Sequence, residues 1–340
     1  MDSPSPRAVV AGASGFVGRH LVEALASDGY DVIRIGRSEQ VQWDDQPAVD
    51  AAVDGADVIV NLAGKSVNCR YTDRNRDEIL TSRTTTTAAL HGAVTRASAP
   101  PRLWLNSSTA TIYRHATDRP NTESTGELGA GFSVDVAREW ERVFFEGDLP
   151  ATRRVSLRMA IVVGDGPATR MLLTLARIGL GGPQYDGWTP PHRRYRGIGS
   201  GPTGGRAPWY RTRGRQRFSW IHIDDVIGAI RFLDHITDLS GPVNLAAPTP
   251  TDNRTLMRTL RRVVGAPFGL PSMRWMLELV MWVLRTEPEL VLKSRWVLPE
   301  RLTEAGYRFV HTDLEQALRE VAASGRVRRR PAPRTRSARS

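Results

Sequence analysis

Short apolar runs alternate with amphipathic stretches along the first half of the chain. Arg7–Ala11, Asp31–Ile35, Asp57–Leu62 and Arg102–Ser107 are predicted strands, and Ala151–Val163 is a longer β segment. Between them, Val17–Ser27, Ala48–Asp54, Asp77–Ala97 and Arg138–Glu146 carry helical periodicity. Strands that are apolar throughout bury both faces, and intervening helices supply the cover. The pattern therefore predicts an α/β fold with a doubly wound parallel sheet, which takes ligands at the carboxyl ends of its strands. Regularity stops after Gly181: residues 183–217 hold 12 of the 52 Gly and Pro residues and read as an irregular insertion. Order resumes with a strand at Phe218–Ile223, a helix opened by Asp224 and Asp225 and running to about His235, and a strand at Pro242–Ala246. From Thr251 to about Val321 the pattern is mainly helical.

Composition narrows the class. With 340 residues the chain has room for one large or two coupled domains. Apolar residues make up 40% and charged residues 24%, an ordinary soluble mixture. The net charge of +11 points to a polyanion until it is located. Residues 326–340 and 183–217 carry +7 each, which leaves the other 290 residues at −3. A nucleic-acid-binding function rests on those two Arg-rich segments alone, and nucleic acid is not the expected partner. The single Cys69 excludes an intramolecular disulfide and fits a reducing compartment. The first ten residues lack a signal-peptide core, and the apolar stretch Trp275–Leu284, interrupted by Glu278, falls short of the ~20 residues that span a bilayer. A soluble cytoplasmic protein without membrane partners is expected.

The candidate chemistry begins directly after the first strand. Gly12-Ala13-Ser14-Gly15-Phe16-Val17-Gly18 has the spacing G-x-x-G-x-x-G and runs into a helix. The first glycine makes the sharp turn, the second lets backbone N–H groups approach a pyrophosphate, and the third lets helix and strand pack closely. The helix N-terminus presents free N–H groups to the phosphates. This makes the sheet a Rossmann-type dinucleotide-binding domain. NAD selection usually places an acid at the end of the second strand. Asp31 begins that strand instead, roughly 15 Å from its other end at ~3.3 Å per residue. The end reads Ile35-Gly36-Arg37-Ser38, and a guanidinium there can hold a 2′-phosphate, so NADP (NADPH) is expected over NAD. The alternative for Arg37 is a solvated loop residue. The domain reading is 7–182 for the Rossmann domain, 183–217 for a basic insertion, 218–247 for the return to the sheet, 248–325 for a small C-terminal domain and 326–340 for a disordered tail.

Further stretches carry a family resemblance. Asn61-Leu62-Ala63-Gly64, Ser82-Arg83-Thr84, Ser107–Tyr113 (SSTATIY), Trp140-Glu141, Gly179–Gly182, Ser219–Asp225 (SWIHIDD) and Val297–Leu302 (VLPERL) follow the glycine turn in order. Together they resemble the extended (atypical) short-chain dehydrogenase/reductases, the nucleotide-sugar epimerase-like group. The match is to the branch described as epimerase-family proteins with a small C-terminal domain of unknown function. The resemblance implies that Leu62, Ala63 and Gly64 lie beside the adenosine half of the cofactor. The candidate cofactor set is then Gly12, Ser14, Gly15, Phe16, Val17, Gly18, Arg37, Ser38, Leu62, Ala63, Gly64 and Arg158. It also implies a Ser or Thr at a strand end that orients the substrate hydroxyl, matched by Thr109 with Ser108 and Ser107 as neighbours.

The proton-transfer pair of the superfamily, a Tyr with a Lys four residues on, is missing. By motif position it falls at Ser133 and Ala137, and the only lysines of the chain are Lys65 and Lys293. Phe132 can at most pack on a nicotinamide, and Arg138 can replace the cation but not the phenol. Tyr113 is the one nearby phenol, readable as catalytic or as a core residue with a satisfied hydroxyl. His222, Asp224 and Asp225 admit an acid–base reading, or Asp224 or Asp225 caps the helix. The histidines show no metal-ligand spacing. The insertion interleaves Arg with Tyr and Trp, as in a lid over a substrate, a solvated or partner-binding loop, or a single-strand binder. Two readings lead. One is an NADP-dependent oxidoreductase or epimerase-like enzyme acting on a small polar substrate. The other is an NADP(H)-binding sensor or scaffold without turnover. Either admits a homodimer.

Overall fold

The computed structural model describes residues 5–186, 212–283 and 292–327. The predicted insertion therefore lies outside the described residues over 187–211, and the tail over 328–340. Seven parallel strands form the main sheet: β1 (Arg7–Ala11), β2 (Asp31–Gly36), β3 (Val41–Gln42), β4 (Val58–Asn61), β5 (Leu103–Thr109), β6 (Arg153–Met159) and β10 (Gly241–Leu245). Their spatial order is β3-β2-β1-β4-β5-β6-β10, a doubly wound sheet that starts outward from β1 in both directions. The helices α1 (Phe16–Ser27), α2 (Gln46–Val53), α3 (Asp73–Arg96), α4 (Phe132–Phe145) and α6 (Ile223–His235) cross over between strands.

Strand alternation sorts the core into two layers. Ala8, Val10, Val58, Val60, Leu103 and Leu105 face one side, packed against Leu21 and Leu25 of α1 and Val226, Ile230 and Leu233 of α6. Val9, Ala11, Ile59 and Trp104 face the other, against Val49 of α2, Leu90 and Val94 of α3 and Phe144 of α4. Successive residues of a strand point to opposite faces, so each run is buried on both sides. That double burial is why the strands read as continuous apolar runs.

The predicted β segment over Ala151–Val163 is two strands. At Ala160 the chain leaves β6, with the Ala160 N–H bonded to Leu245 O at 2.9 Å, and β7 (Ile161–Val163) pairs with β9 (Trp220–His222). The strand predicted over Phe218–Ile223 likewise divides into β8 (Arg217–Phe218) and β9, with β8 pairing to β11 (Thr251–Asp252). The smaller, largely helical region comprises α7 (Asn253–Val264), α8 (Arg274–Val283), α9 (Glu300–Glu304) and α10 (Leu314–Val327). Leu256 and Leu260 of α7 and Leu318 and Val321 of α10 pack with Leu173 of α5 (Pro167–Arg177) and with Trp220. No helix among the described residues is long and apolar enough to cross a membrane.

A buried polar network fixes the end of β5. Glu141 on α4 and Arg158 on β6 are each 8% exposed. Arg158 donates from Nε to Glu141 Oε1 at 2.8 Å and from Nη2 to Oε2 at 2.6 Å. Ser108 and Ser156 hydroxyls donate to Oε1 at 2.7 and 2.8 Å. The Arg158 Nη1 donates to the Tyr113 hydroxyl at 2.9 Å, which donates to Asn244 Oδ1 at 2.9 Å, and Asn244 Nδ2 donates to Leu298 O. Burial alone lowers the Arg158 pKa, but the Glu141 bonds and charge outweigh it and hold the guanidinium above its ordinary value. Removing one partner of a buried ion pair leaves the other charge uncompensated. Glu141→Gln is therefore expected to lower unfolding stability by about 3–5 kcal/mol in chemical denaturation, and Glu141→Met with Arg158→Leu by less. A Glu141→Gln loss below about 1 kcal/mol, the range of an exposed pair, would contradict this role.

Candidate functional site

The glycine turn shows why each glycine is needed. Gly12 has φ +80°, and a Cβ there would lie 2.8 Å from Leu62 C and O of the neighbouring turn. A Cβ on Gly18 would lie 2.3 Å from Gly12 O, so α1 can rest on the turn only without a side chain at that position. Gly15 is the N-cap of α1 and offers no side-chain cap, and no acid stands in the first turn. The first N–H groups of α1 thus face outward with a partial positive charge. Arg19 donates from Nη1 to Ser14 O at 2.8 Å and adds a cation beside the turn. Phe16 packs under the turn, within 2.8–3.1 Å of where Cβ atoms on Gly164 and Gly166 would lie. This cradle, open where a Cβ would close it and lined by free N–H groups, fits a dinucleotide pyrophosphate.

Strand register aligns the remaining candidate cofactor residues. Ala11 pairs with Ile35 and Asn61, Asn61 with Asn106, and Asn106 with Ser156. Gly12, Gly36, Leu62 and Ser107 therefore stand in one row at the carboxyl ends. Asp31 pairs with Arg7 at the opposite end of the sheet. Arg37 and Ser38 are exposed just past β2, and no hydrogen bond or ion pair ties Arg37 to the other described residues. The Leu62–Gly64 turn is shaped by Asn61, fully buried, whose Oδ1 accepts from Ala63 N while Nδ2 donates to Thr87 and Asn106.

The strand end places the sequence-based catalytic candidates unequally. Thr109 is half-buried, and its Oγ1 accepts from Thr111 N at 3.1 Å, which leaves the hydroxyl proton to donate. Ser108 donates to Glu141 within the buried network. Tyr113 is 1% exposed with its hydroxyl bonded on both sides, and burial raises its pKa against the pull of Arg158. Arg158, placed in the cofactor set from sequence, has its guanidinium committed to Glu141 and Tyr113. Ser133 and Ala137 lie one turn apart on α4, and Ala137 is buried against Ala110, Ile112, Tyr113 and Ala160. Phe132 is buried edge-on against Tyr71 at 4.8 Å, and Arg138 is exposed. The cap of α6 differs from expectation. His222 is the N-cap residue, and Asp225 instead accepts from Val310 N and His311 N at 2.7 and 2.9 Å.

Three cations near the site were not legible as such. Arg83 donates to Lys65 O and Ile79 O, lies 5.1 Å from the Trp140 ring, and packs under Gly64. Burial brings its pKa down to about 10, and no carboxylate pairs with it among the described residues. Lys293, 182 residues away in sequence, donates to Thr111 O at 2.7 Å, and Arg295 donates to Thr111 Oγ1. Only tertiary contact carries that signal, whereas Arg19 follows the third glycine and was readable.

These cations have a consequence for pH. Burial, with Lys293, Arg114 and Arg295 nearby, holds the His115 imidazole down at about 4, and its Nδ1 accepts from Ser294 N at 3.0 Å. The folded value lies below the ordinary 6.5, so the unfolded chain binds more protons between them. This contribution is fully present above pH 6.5 and is lost as the pH falls toward 4. Burial and the neighbouring His311 lower the His222 pKa in the same direction. Thermal midpoints of the wild type are expected to fall more steeply than those of His115→Gln over that range, and equal slopes would contradict the assignment.

Comparison with known proteins follows the same division of the chain. The model of the NAD dependent epimerase/dehydratase family matches residues 8–131, and that of a domain of unknown function, DUF1731, matches residues 274–321. Epimerase family protein YfhF of Bacillus subtilis (strain 168) is 26% identical over 322 residues, covering 92% of this chain and 96% of its own. Epimerase family protein SDR39U1 of Bos taurus is 29% identical over 326 residues, covering 93% and 100%. The crystal structure of human SDR39U1 (isoform 2) with NADPH superposes with a TM-score of 0.77 at 27% identity, covering 93% of this chain and 99% of that one. Glycine turn, sheet order and C-terminal region agree with these matches, and over nearly its whole length the chain is similar to epimerase-family, extended short-chain dehydrogenase/reductase-like proteins with a C-terminal DUF1731 domain.

Proposed function

We propose that the chain binds NADP(H) across the ends of β1, β2 and β4 and acts as an epimerase- or oxidoreductase-like enzyme on a small polar substrate. The observation that carries this reading is the N-terminus of α1, without a side-chain cap, behind the Gly12–Gly18 turn, with Arg37 one strand away and unpaired among the described residues. The pyrophosphate rests on the first N–H groups of α1 with Arg19 alongside, Arg37 and Ser38 take the 2′-phosphate, and Leu62–Gly64 lies against the adenosine. The NADPH held by human SDR39U1 supports the phosphorylated cofactor. When bound, the nicotinamide supplies or accepts hydride. Thr109 orients the substrate oxygen by donating its free hydroxyl proton. Arg158 and Glu141 support the strand end rather than touch cofactor. A cytoplasmic setting accords with a single cysteine, Cys69, in the whole sequence.

Ser133 and Ala137 favour a second reading, an NADP(H)-binding sensor or scaffold. Neither side chain can pass a proton as a phenol–lysine pair does, and the buried Tyr113 keeps its proton at neutral pH. A titration of NADPH and NADH by cofactor fluorescence tests the binding claim. Arg37→Ala is expected to weaken NADPH about tenfold to hundredfold, the worth of charge-assisted hydrogen bonds, and to leave NADH unchanged. Preference for NADH, or no loss in the variant, would remove the 2′-phosphate assignment. NADPH oxidation with any member of a carbonyl panel supports the enzyme, and binding without oxidation across the panel supports the sensor.

A further inference from the structure

At the junction of β9 and α6, two imidazoles and a carboxylate that the cofactor reading does not use converge. His222 Nδ1 lies 3.3 Å and His311 Nε2 3.2 Å from Asp224 Oδ2, and the three ligand atoms all fall within 4.8 Å of one another. Both histidine side chains are enclosed, at 7% and 9% exposure, while Asp224 is 62% exposed, so the cluster opens to solvent through its carboxylate. The two rings lie 3.8 Å apart, centroid to centroid. We propose that His222, Asp224 and His311 form a binding site for a divalent transition-metal ion of the Zn²⁺ class, with the fourth position open to water.

Distances and orientation favour this over a chance cluster. Ligands of a tetrahedral ion with bonds of about 2.0–2.1 Å stand roughly 3.4 Å apart, close to the 3.3 and 3.2 Å separations from Asp224. The third edge, between the two imidazoles, is no longer than 4.8 Å. Two nitrogens and one oxygen suit zinc and its neighbours better than magnesium or calcium, which take oxygen sets. His222 Nδ1 directs its lone pair at Asp224 N over a long 3.3 Å, a bond that metal ligation would replace. His311 Nδ1 lies 3.6 Å from Glu320 Oε2, a carboxylate placed to orient the imidazole when its other nitrogen binds a metal. The backbone of His311 is fixed as well, because Asp225, fully buried, accepts from its N–H and from that of Val310. A cation at a helix N-terminus meets an unfavourable dipole. Asp224, Asp225 and Glu320 offset it with three carboxylates around the site. The ion ties the sheet-borne β9–α6 junction to the segment that leads into α10, and its binding stabilises the fold.

Zn²⁺ and Co²⁺ added to chelator-treated full-length protein test the site. The expected result is one bound ion per chain, a rise in thermal midpoint with Zn²⁺, and the visible d–d absorption of low-coordinate Co²⁺. His311→Gln and Asp224→Asn are expected to weaken binding at least tenfold, and Glu320→Gln about tenfold, as outer-shell partners do. His235→Gln, a histidine outside the cluster, should leave binding unchanged. Asp224→Asn changes an exposed side chain and keeps the test valid if His311→Gln fails to fold. No d–d band and no thermal shift would overturn the proposal, as would Asp224→Asn binding as tightly as wild type or His235→Gln weakening binding equally.

Discussion

The bidentate pair between Glu141 and Arg158 sets the geometry on which the strand-end platform depends. Two charges taken out of water are tolerated only when their remaining lone pairs and protons are met. Here Ser108 and Ser156 complete the carboxylate, and Tyr113 completes the guanidinium. The network joins β5, α4 and β6 side by side, and through Tyr113, Asn244 and Leu298 it reaches β10 and the C-terminal region. Its chemical consequence is as large as its structural one. Ser108, Tyr113 and Arg158 all have chemistry to offer by residue type, and the pair occupies them. Thr109, one residue past Ser108, stays outside the network because strand alternation turns it to the other face, where its Oγ1 accepts from Thr111 N.

The parallel sheet was legible because burial on both faces leaves a continuous apolar signature, and the glycine turn because its spacing has few steric alternatives. The break at Ala160 was not, since Met159, Ala160 and Ile161 are equally apolar in sequence. What decides it is a partner 85 residues on, Leu245, which takes the Ala160 N–H, while β7 turns to β9. Asp224 and Asp225 looked like caps by position. Tertiary structure gave the cap to His222 and spent Asp225 on the backbone of Val310 and His311. Arg158 carried no local sign that Glu141 would claim it. In each case local chemistry was read correctly as to type, and a long-range partner chose among the types.

Charge follows the same logic. The Arg excess lies in two segments, and several cations of the described body meet backbone carbonyls. Arg19 sits on the glycine turn, Arg83 under Gly64, and Lys293 on Thr111 O. The missing phenol–lysine pair is a packing fact as much as a sequence one. Ala137 is buried among Ala110, Ile112 and Ala160, and a lysine there would have to displace the helix from the strand end.

The central claim is that the Gly12–Gly18 turn and the first turn of α1 receive a dinucleotide pyrophosphate. Amide hydrogen exchange of the full chain with and without NADPH measures it directly. The account requires slowed exchange at Gly12–Gly18 and Leu62–Gly64, with the edge of β2 at Arg37 and Ser38 responding to NADPH more than to NADH. Unchanged exchange in the glycine turn at saturating NADPH, or protection confined to the Arg-rich segments, would contradict it.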